Sequence, residues 1–181
     1  WNAFGMLATV TRPDGDVVRF TYDALGRRVS KTFRGKQTRW IWDEDVPLHE
    51  QTTSSMINST PLIEVQGSLV TEVLTWLFEP ESFIPIARRS STVTHNASIT
   101  TDPLGTPDAM FDSSGSQIWS NEMDIHGASR VLGVESGCPF RFQGQYEDIE
   151  TGLYYNRFRY YDPCSGQYIS QDPIGLTGGL R

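Results

Sequence analysis

Val17-Val18-Arg19-Phe20-Thr21-Tyr22-Asp23-Ala24-Leu25-Gly26-Arg27-Arg28-Val29-Ser30-Lys31-Thr32-Phe33 is the stretch whose reading decides the fold class. Val18, Phe20 and Tyr22 alternate with Val17, Arg19 and Thr21. That period of two is the pattern of a half-buried strand. Asp23-Ala24-Leu25-Gly26 has Asp first and Gly fourth, the preference of a type I turn. Arg28 to Phe33 then returns as the partner strand. Asp14-Gly15 upstream is a hairpin-type turn signal, so residues 10–33 read as strand, turn, strand.

The same grammar extends outward. Thr38 to Trp42 reads as a strand with Trp40 and Trp42 on one side, and Val46 to Gln51 as its return. Residues 52–61 are rich in Ser and Thr and read as a loose loop. Val70 to Phe78 and Phe83 to Arg88 read as strands around the turn Glu79-Pro80-Glu81. Pro85 inside the second implies an edge or a bulge. Residues 89–97 read as polar linker. Asp102-Pro103-Leu104-Gly105 repeats the Asp-first, Gly-fourth turn. Ala109-Met110-Phe111 and Gln117 to Ser120 flank another turn at 112–115. Thr106-Pro107-Asp108 resembles a helix start, but the stretch behind it is too short for more than one turn. Tyr154 to Tyr161 reads as one strand, with Tyr154, Asn156, Phe158 and Tyr160 on one face and Tyr155, Arg157, Arg159 and Tyr161 on the other. Hairpin units recurring at intervals of roughly 20 residues suggest a repeat array. The fold class is all-β.

With 181 residues the chain is long enough for a real core. It begins at Trp1 and ends at Arg181 after a Gly pair, which reads as a fragment of a longer chain. Its net charge of −7 argues against nucleic acid as a partner. Residues 1–40 hold eight Arg/Lys and three Asp, a local +5, against −12 in the rest. No run is long and apolar enough to form a membrane-spanning helix. Cys138 and Cys164 have no motif spacing; they could pair if close in space, and the redox compartment stays open. His49, His95 and His126 are scattered without metal-ligand spacing, and no cofactor is expected.

Several runs resemble a known family. Tyr22-Asp23-Ala24-Leu25-Gly26-Arg27-Arg28-Val29 is similar to a YD repeat, the tyrosine-aspartate repeat of Rhs proteins, teneurins and Tc-toxin shell subunits. Phe142 to Tyr146, Glu150 to Pro163 and Ser170 to Leu176 resemble the Rhs repeat-associated core in order and spacing. The resemblance implies a repeat shell segment at 1–100 and a core segment at 101–181. It implies a large hollow β-shell with an end plug that encloses a variable C-terminal toxin and often releases it by aspartyl-type autoproteolysis. Expected partners are the chain's own C-terminal toxin domain, a secretion-system spike or adaptor, and an immunity protein acting on the toxin. Type VI secretion is frequent in such proteins, and the expected location is secreted or delivered to the cell surface. The alternative is an adhesive or carbohydrate-binding YD-repeat surface protein without cargo.

Self-cleavage in this family is associated with Asp-Pro-x-Gly-Leu boxes, and one stands at Asp172-Pro173-Ile174-Gly175-Leu176. Two carboxylates held close share a proton, one acting as base and the other as acid. The candidate catalytic residues are Asp172 and, second, Asp162, with Arg157 and Arg159 placed to tune a nearby carboxylate. The competing reading is that each Asp before Pro simply opens its own turn. With a second box expected downstream of Arg181, the fragment alone is expected to be inactive.

Overall fold

In the first three-quarters of the chain, strands consecutive in sequence pair with one another. The computed structural model describes residues 1–55, 68–91, 96–133 and 137–170. Among these, β1 (Thr9–Thr11), β2 (Val17–Tyr22), β3 (Arg28–Phe33), β4 (Lys36–Asp43), β5 (Val46–Ser55), β6 (Ser68–Phe78), β7 (Pro85–Ser90), β8 (Ala97–Thr101), β9 (Pro107–Phe111), β10 (Gln117–Met123) and β11 (Ser129–Gly133) form one antiparallel sheet in chain order. A second sheet holds β12 (Tyr146–Asp148), β13 (Leu153–Asn156), β14 (Arg159–Asp162) and β15 (Gln167–Tyr168), also in order. The described residues contain no helix.

One turn design recurs because it satisfies its own backbone. Asp23 Oδ1 accepts from the N–H groups of Leu25 and Arg27, each at 2.9 Å. The backbone N–H of Asp23 donates to Arg27 O at 2.9 Å, which closes the hairpin. The fourth position turns through φ +74° at Gly26, a conformation that costs glycine little. Asp102, Asp112 and Asp124 repeat the arrangement, each taking two backbone N–H groups on one carboxylate oxygen. The Asp-x-x-Gly spacing is therefore a hydrogen-bonding device, as the sequence implied.

The large sheet has one buried face, and cross-strand partners trace it. Phe20 faces Lys31, Lys31 faces Thr38, Trp76 faces Arg88, Ile99 faces Met110, and Met110 faces Trp119. The second sheet and its approach segment lie on this face. One core cluster joins Trp40, Trp76, Met110 and Trp119 to Cys138, Phe140 and Tyr146. A second joins Leu7, Val18 and Phe20 to Tyr155 and Tyr160. The approach is close at Gly137, where an added Cβ would fall 2.0 Å from the Trp119 ring.

Several expectations change. Tyr154 to Tyr161 is a tight hairpin, with Asn156 facing Arg159 across Arg157 and Phe158. Tyr155 and Tyr160 consequently share the face toward the large sheet, while Tyr154 and Tyr161 share the other. Thr52 to Ser55 continue β5 rather than loosen, because Thr52, Thr53 and Ser54 pair with both neighbours and Ser55 with β6; the rest of 52–61 lies outside the described residues. Ser90 still belongs to β7, so the 89–97 linker is shorter than expected. Pro107 opens β9 and no helical turn. Pro85 opens β7 opposite a bulge at Leu77/Phe78, which accommodates its missing N–H.

Candidate functional site

The most elaborate side-chain arrangement joins the YD hairpin to the second sheet. Its origin is a bulge. Thr21 pairs with Ser30 and Tyr22 pairs with Arg28, leaving Val29 unpaired. The extra residue puts Arg28 and Lys31, three apart in sequence, on the same buried face.

Both cations converge on Asp148 at the end of β12. Arg28 Nη1 donates to Asp148 Oδ2, and Lys31 Nζ donates to Asp148 Oδ1 at 3.1 Å and to Glu150 Oε2 at 2.7 Å. Asp148 is fully buried and Arg28 is 1% exposed. The guanidinium also lies over the rings of Trp40 and Tyr155, each 4.4 Å away, with Phe20 and Tyr146 slightly farther. An aromatic cage of this kind replaces part of the lost hydration of a buried cation. Burial works against the charge on Arg28, and Asp148 more than offsets it, so the guanidinium is held above its ordinary pKa. Lys31 is raised for the same reason, with Asp148 and then Glu150 outweighing burial.

The tyrosines complete the junction. Tyr22 Oη donates to Leu7 O at 2.7 Å and accepts from Tyr160 Oη at 2.7 Å. Tyr155 Oη accepts from the Arg28 N–H at 2.9 Å. In the Tyr22-Asp23 pair, then, the tyrosine seals the hairpin to β14 and the aspartate closes the turn.

Glu50, half-buried on the same face, accepts from Tyr146 Oη at 2.9 Å and more weakly from Trp76 Nε1 at 3.4 Å. Burial raises its carboxyl pKa, and these donors only partly oppose that. A carboxylate with a raised folded pKa is favoured protonated, so it contributes stability at low pH that is lost as pH rises through the folded value. Glu50→Gln keeps an acceptor for both donors. It is expected to raise the melting temperature at pH 7, with the gain shrinking as pH falls through the raised folded value and lost completely by about 4.3, the ordinary glutamate value. Thermal melts of both proteins across that range check it; a gain independent of pH would remove the ionised carboxylate as its cause.

The sequence-derived candidates fall elsewhere. Asp172 lies outside the described residues. Asp162 Oδ1 accepts the Cys164 N–H at 3.0 Å and its carbonyl accepts the Gly166 N–H at 2.9 Å, so it opens its own turn. Arg157 and Arg159 do not share a strand face. Arg157 sits in the hairpin turn and pairs with Asp45 at 3.0 Å, while the Arg159 guanidinium lies 3.9 Å from the Tyr168 ring centroid. His49 Nδ1 lies 2.9 Å from Thr75 Oγ1, and His95 is outside the described residues. Cys138 is buried and Cys164 exposed, both unpaired; burial pushes the Cys138 thiol up to about 12. Among the described residues no group of three His, Cys, Asp or Glu is placed to hold a metal. Nor is any described helix long and apolar enough to cross a membrane.

Sequence reading missed Arg28, Lys31 and Asp148 as a unit. A signal was present: β3 has charged and hydroxyl residues where a half-buried strand carries apolar ones, which asks for buried partners.

An antiparallel sheet of turn-capped hairpins, with a second small sheet clamped on its inner face, defines a β-shell repeat protein. Residues 1–38 match the RHS Repeat family. The chain is 33% identical over 180 residues to Double-stranded DNA deaminase toxin A of Burkholderia cenocepacia, covering 90% of this chain and 12% of that protein. It is 34% identical over 179 residues to Toxin protein Tse5 of Pseudomonas aeruginosa, covering 89% of this chain and 14% of that one. In fold it matches the crystal structure of TcdB2-TccC3 with a TM-score of 0.72 at 24% identity, covering all of this chain and 9% of that one. The chain belongs to the Rhs/YD-repeat family, related in fold to the Tc-toxin shell. It spans about an eighth of the curated relatives' length.

Proposed function

We propose that this chain is a wall and end-plug segment of a polymorphic Rhs toxin, a hollow shell that encloses a C-terminal toxin and releases it by aspartyl-type self-cleavage. The observation that carries the structural part is the buried Arg28–Asp148–Lys31 junction, which holds core residues 146–160 against the YD-repeat sheet. Its sequence separation of 120 residues makes it a clamp between the YD hairpin and the second sheet; the division into shell at 1–100 and core at 101–181 is part of the proposal. That two relatives over most of this length are toxins supports the cargo. The parent would be secreted or delivered to another cell by a spike or adaptor, with an immunity protein guarding the producer.

In this reading Asp172 supplies one carboxylate of the cleaving pair, and the bond cut lies downstream of Arg181. Asp162 is the weaker candidate, because its carboxylate already serves its own turn. The test extends the protein through the next Asp-Pro-x-Gly-Leu box and the following domain. Denaturing gels and intact masses should show two fragments in the parent and one uncut chain for Asp172→Asn, with Asp162→Asn still cut. Uncut parent protein would leave a purely structural wall. Cleavage in both variants would move the chemistry away from both residues.

A further inference from the structure

Antiparallel pairing in chain order sends the turns of the large sheet alternately to its two rims. The turns at 23–27, 44–45, 79–84, 102–106 and 124–128 lie on one rim, and those at 12–16, 34–35 and 112–116 on the other. The two rims differ. The first exposes Leu25 by 61%, Phe83 by 42%, Leu104 by 71% and Ile125 by 90%. Among the described residues the opposite rim exposes no large apolar side chain, and carries Asp14, Arg34, Ser113 and Ser114 instead.

Turn chemistry does not require this difference. Leu25, Leu104 and Ser114 hold the same place in the same turn, each donating its N–H to the turn's own Asp at 2.8 to 2.9 Å. A serine there serves the backbone as well as a leucine. Apolar residues scattered singly over a surface are ordinary, but these are gathered on one rim. At about 4.8 Å per strand, the tips from Leu25 to Ile125 make a ridge roughly 40 Å long. The ridge is braced from within. A Cβ added at Gly26, Gly105 or Gly127 would fall 2.6 to 2.7 Å from Phe158, Ile84 or Phe142.

Charge and topology narrow what covers the ridge. Glu44, Asp45, Glu79 and Glu81 are exposed in the intervening turns of the same rim. A second copy docked rim to rim brings like charges together, and an anionic lipid surface repels them. After β11 the chain leaves the large sheet, and β12 to β15 fold onto its buried face. In the shell proposed above, β1 to β11 are then the last pass of the wall. A last pass has one neighbouring pass, so one rim is covered and the other is free. The chain spans only 12% and 14% of two relatives' length, which leaves ample repeat wall to supply that neighbour.

We infer that Leu25, Phe83, Leu104 and Ile125 form a seam against hairpin turns of the preceding pass of the parent's own wall, while the polar rim stays free. The inference rests on the shell reading. The preceding pass is expected to offer Lys or Arg opposite Glu44, Glu79 and Glu81.

The test places the photoreactive residue p-benzoylphenylalanine in the full-length parent at Leu104, at Ile125 or, on the polar rim, at Ser114. Irradiation should join positions 104 and 125 to a hairpin turn of the same chain, in a peptide upstream of Trp1. Position 114 should stay unjoined. A dimer-sized product, a cross-link to the C-terminal toxin, no cross-link from 104 or 125, or an equal yield from 114 would each overturn the inference. The unsubstituted parent gives an independent readout. Hydroxyl radicals should oxidise Leu25, Leu104 and Ile125 far more slowly in the folded parent than in urea, and equal rates would remove the seam. Added protease reads the shell separately. A C-terminal domain that resists digestion while the tips oxidise freely sinks only the seam, whereas one digested at once sinks the shell itself.

Discussion

Asp148→Ala is expected to destabilise the chain by about 3–5 kcal/mol, the cost of leaving buried charges without their partner. Asp148 is the only carboxylate that touches both Arg28 and Lys31 among the described residues. Lys31 keeps Glu150, which is itself partly exposed, but Arg28 keeps only rings and the Tyr160 hydroxyl at 3.4 Å. Asp148→Asn should cost nearly as much, because it preserves shape and removes the compensating charge. The triple change Arg28→Met, Lys31→Met, Asp148→Leu should recover most of the loss, since a buried ion cluster is often replaceable by apolar groups of similar volume. Urea unfolding curves measure all three. Total stabilities are about 5–15 kcal/mol for ordinary domains, so the single change removes a large fraction. A shift below about 1 kcal/mol, the scale of an exposed pair, would show that the junction does not couple the two sheets.

Trp76→Ala should cost about 3–5 kcal/mol by a different route, the loss of a large buried ring and the void it leaves. Trp76 is 1% exposed and meets Phe140 edge-on at 5.1 Å between centroids. It comes from β6 of the large sheet, whereas Phe140 leads into the second, so the void would open between them. Its neighbour Leu77 points to the opposite face and is 38% exposed; Leu77→Ser should change stability by less than about 0.5 kcal/mol. The denaturant midpoint of each variant, read at unchanged slope, checks the pair. Equal effects at 76 and 77 would contradict the assignment of faces.

Much of the wall was readable because its signals are local. Alternation in 17–22 and Asp-x-x-Gly at 23–26 and 102–105 specify strands and turns through neighbouring residues alone, and both appear as read. The site was less legible for reasons equally physical. A period of two assigns Arg28 and Lys31 to opposite faces; only the unpaired Val29, set by registration against β2, unites them. The partner Asp148 is far along the chain and carries no local mark of burial. The turn at Arg157-Phe158 has no glycine, proline or asparagine inside it, so nothing in composition interrupts the apparent strand from 154 to 161. Asp162 carries the signature of a turn, and its contacts are those of a turn.

Strictly sequential pairing of β1 to β11 also dictates an order of assembly. Each hairpin can form as soon as its own residues are available, because its contacts are short in sequence, and such topologies organise quickly. Clasping Asp148 onto Arg28 must wait until the chain has advanced another 120 residues. The wall can thus be laid down progressively from its N-terminal side while its inner face stays open, and the ionic clasp closes late. Asp148→Ala should then speed unfolding far more than it slows folding, the kinetic signature of an interaction absent from the transition state. For a chain that emerges from one end, the buried aromatic face of the wall is therefore covered by Phe140, Tyr146, Tyr155 and Tyr160 only after most of its strands have paired.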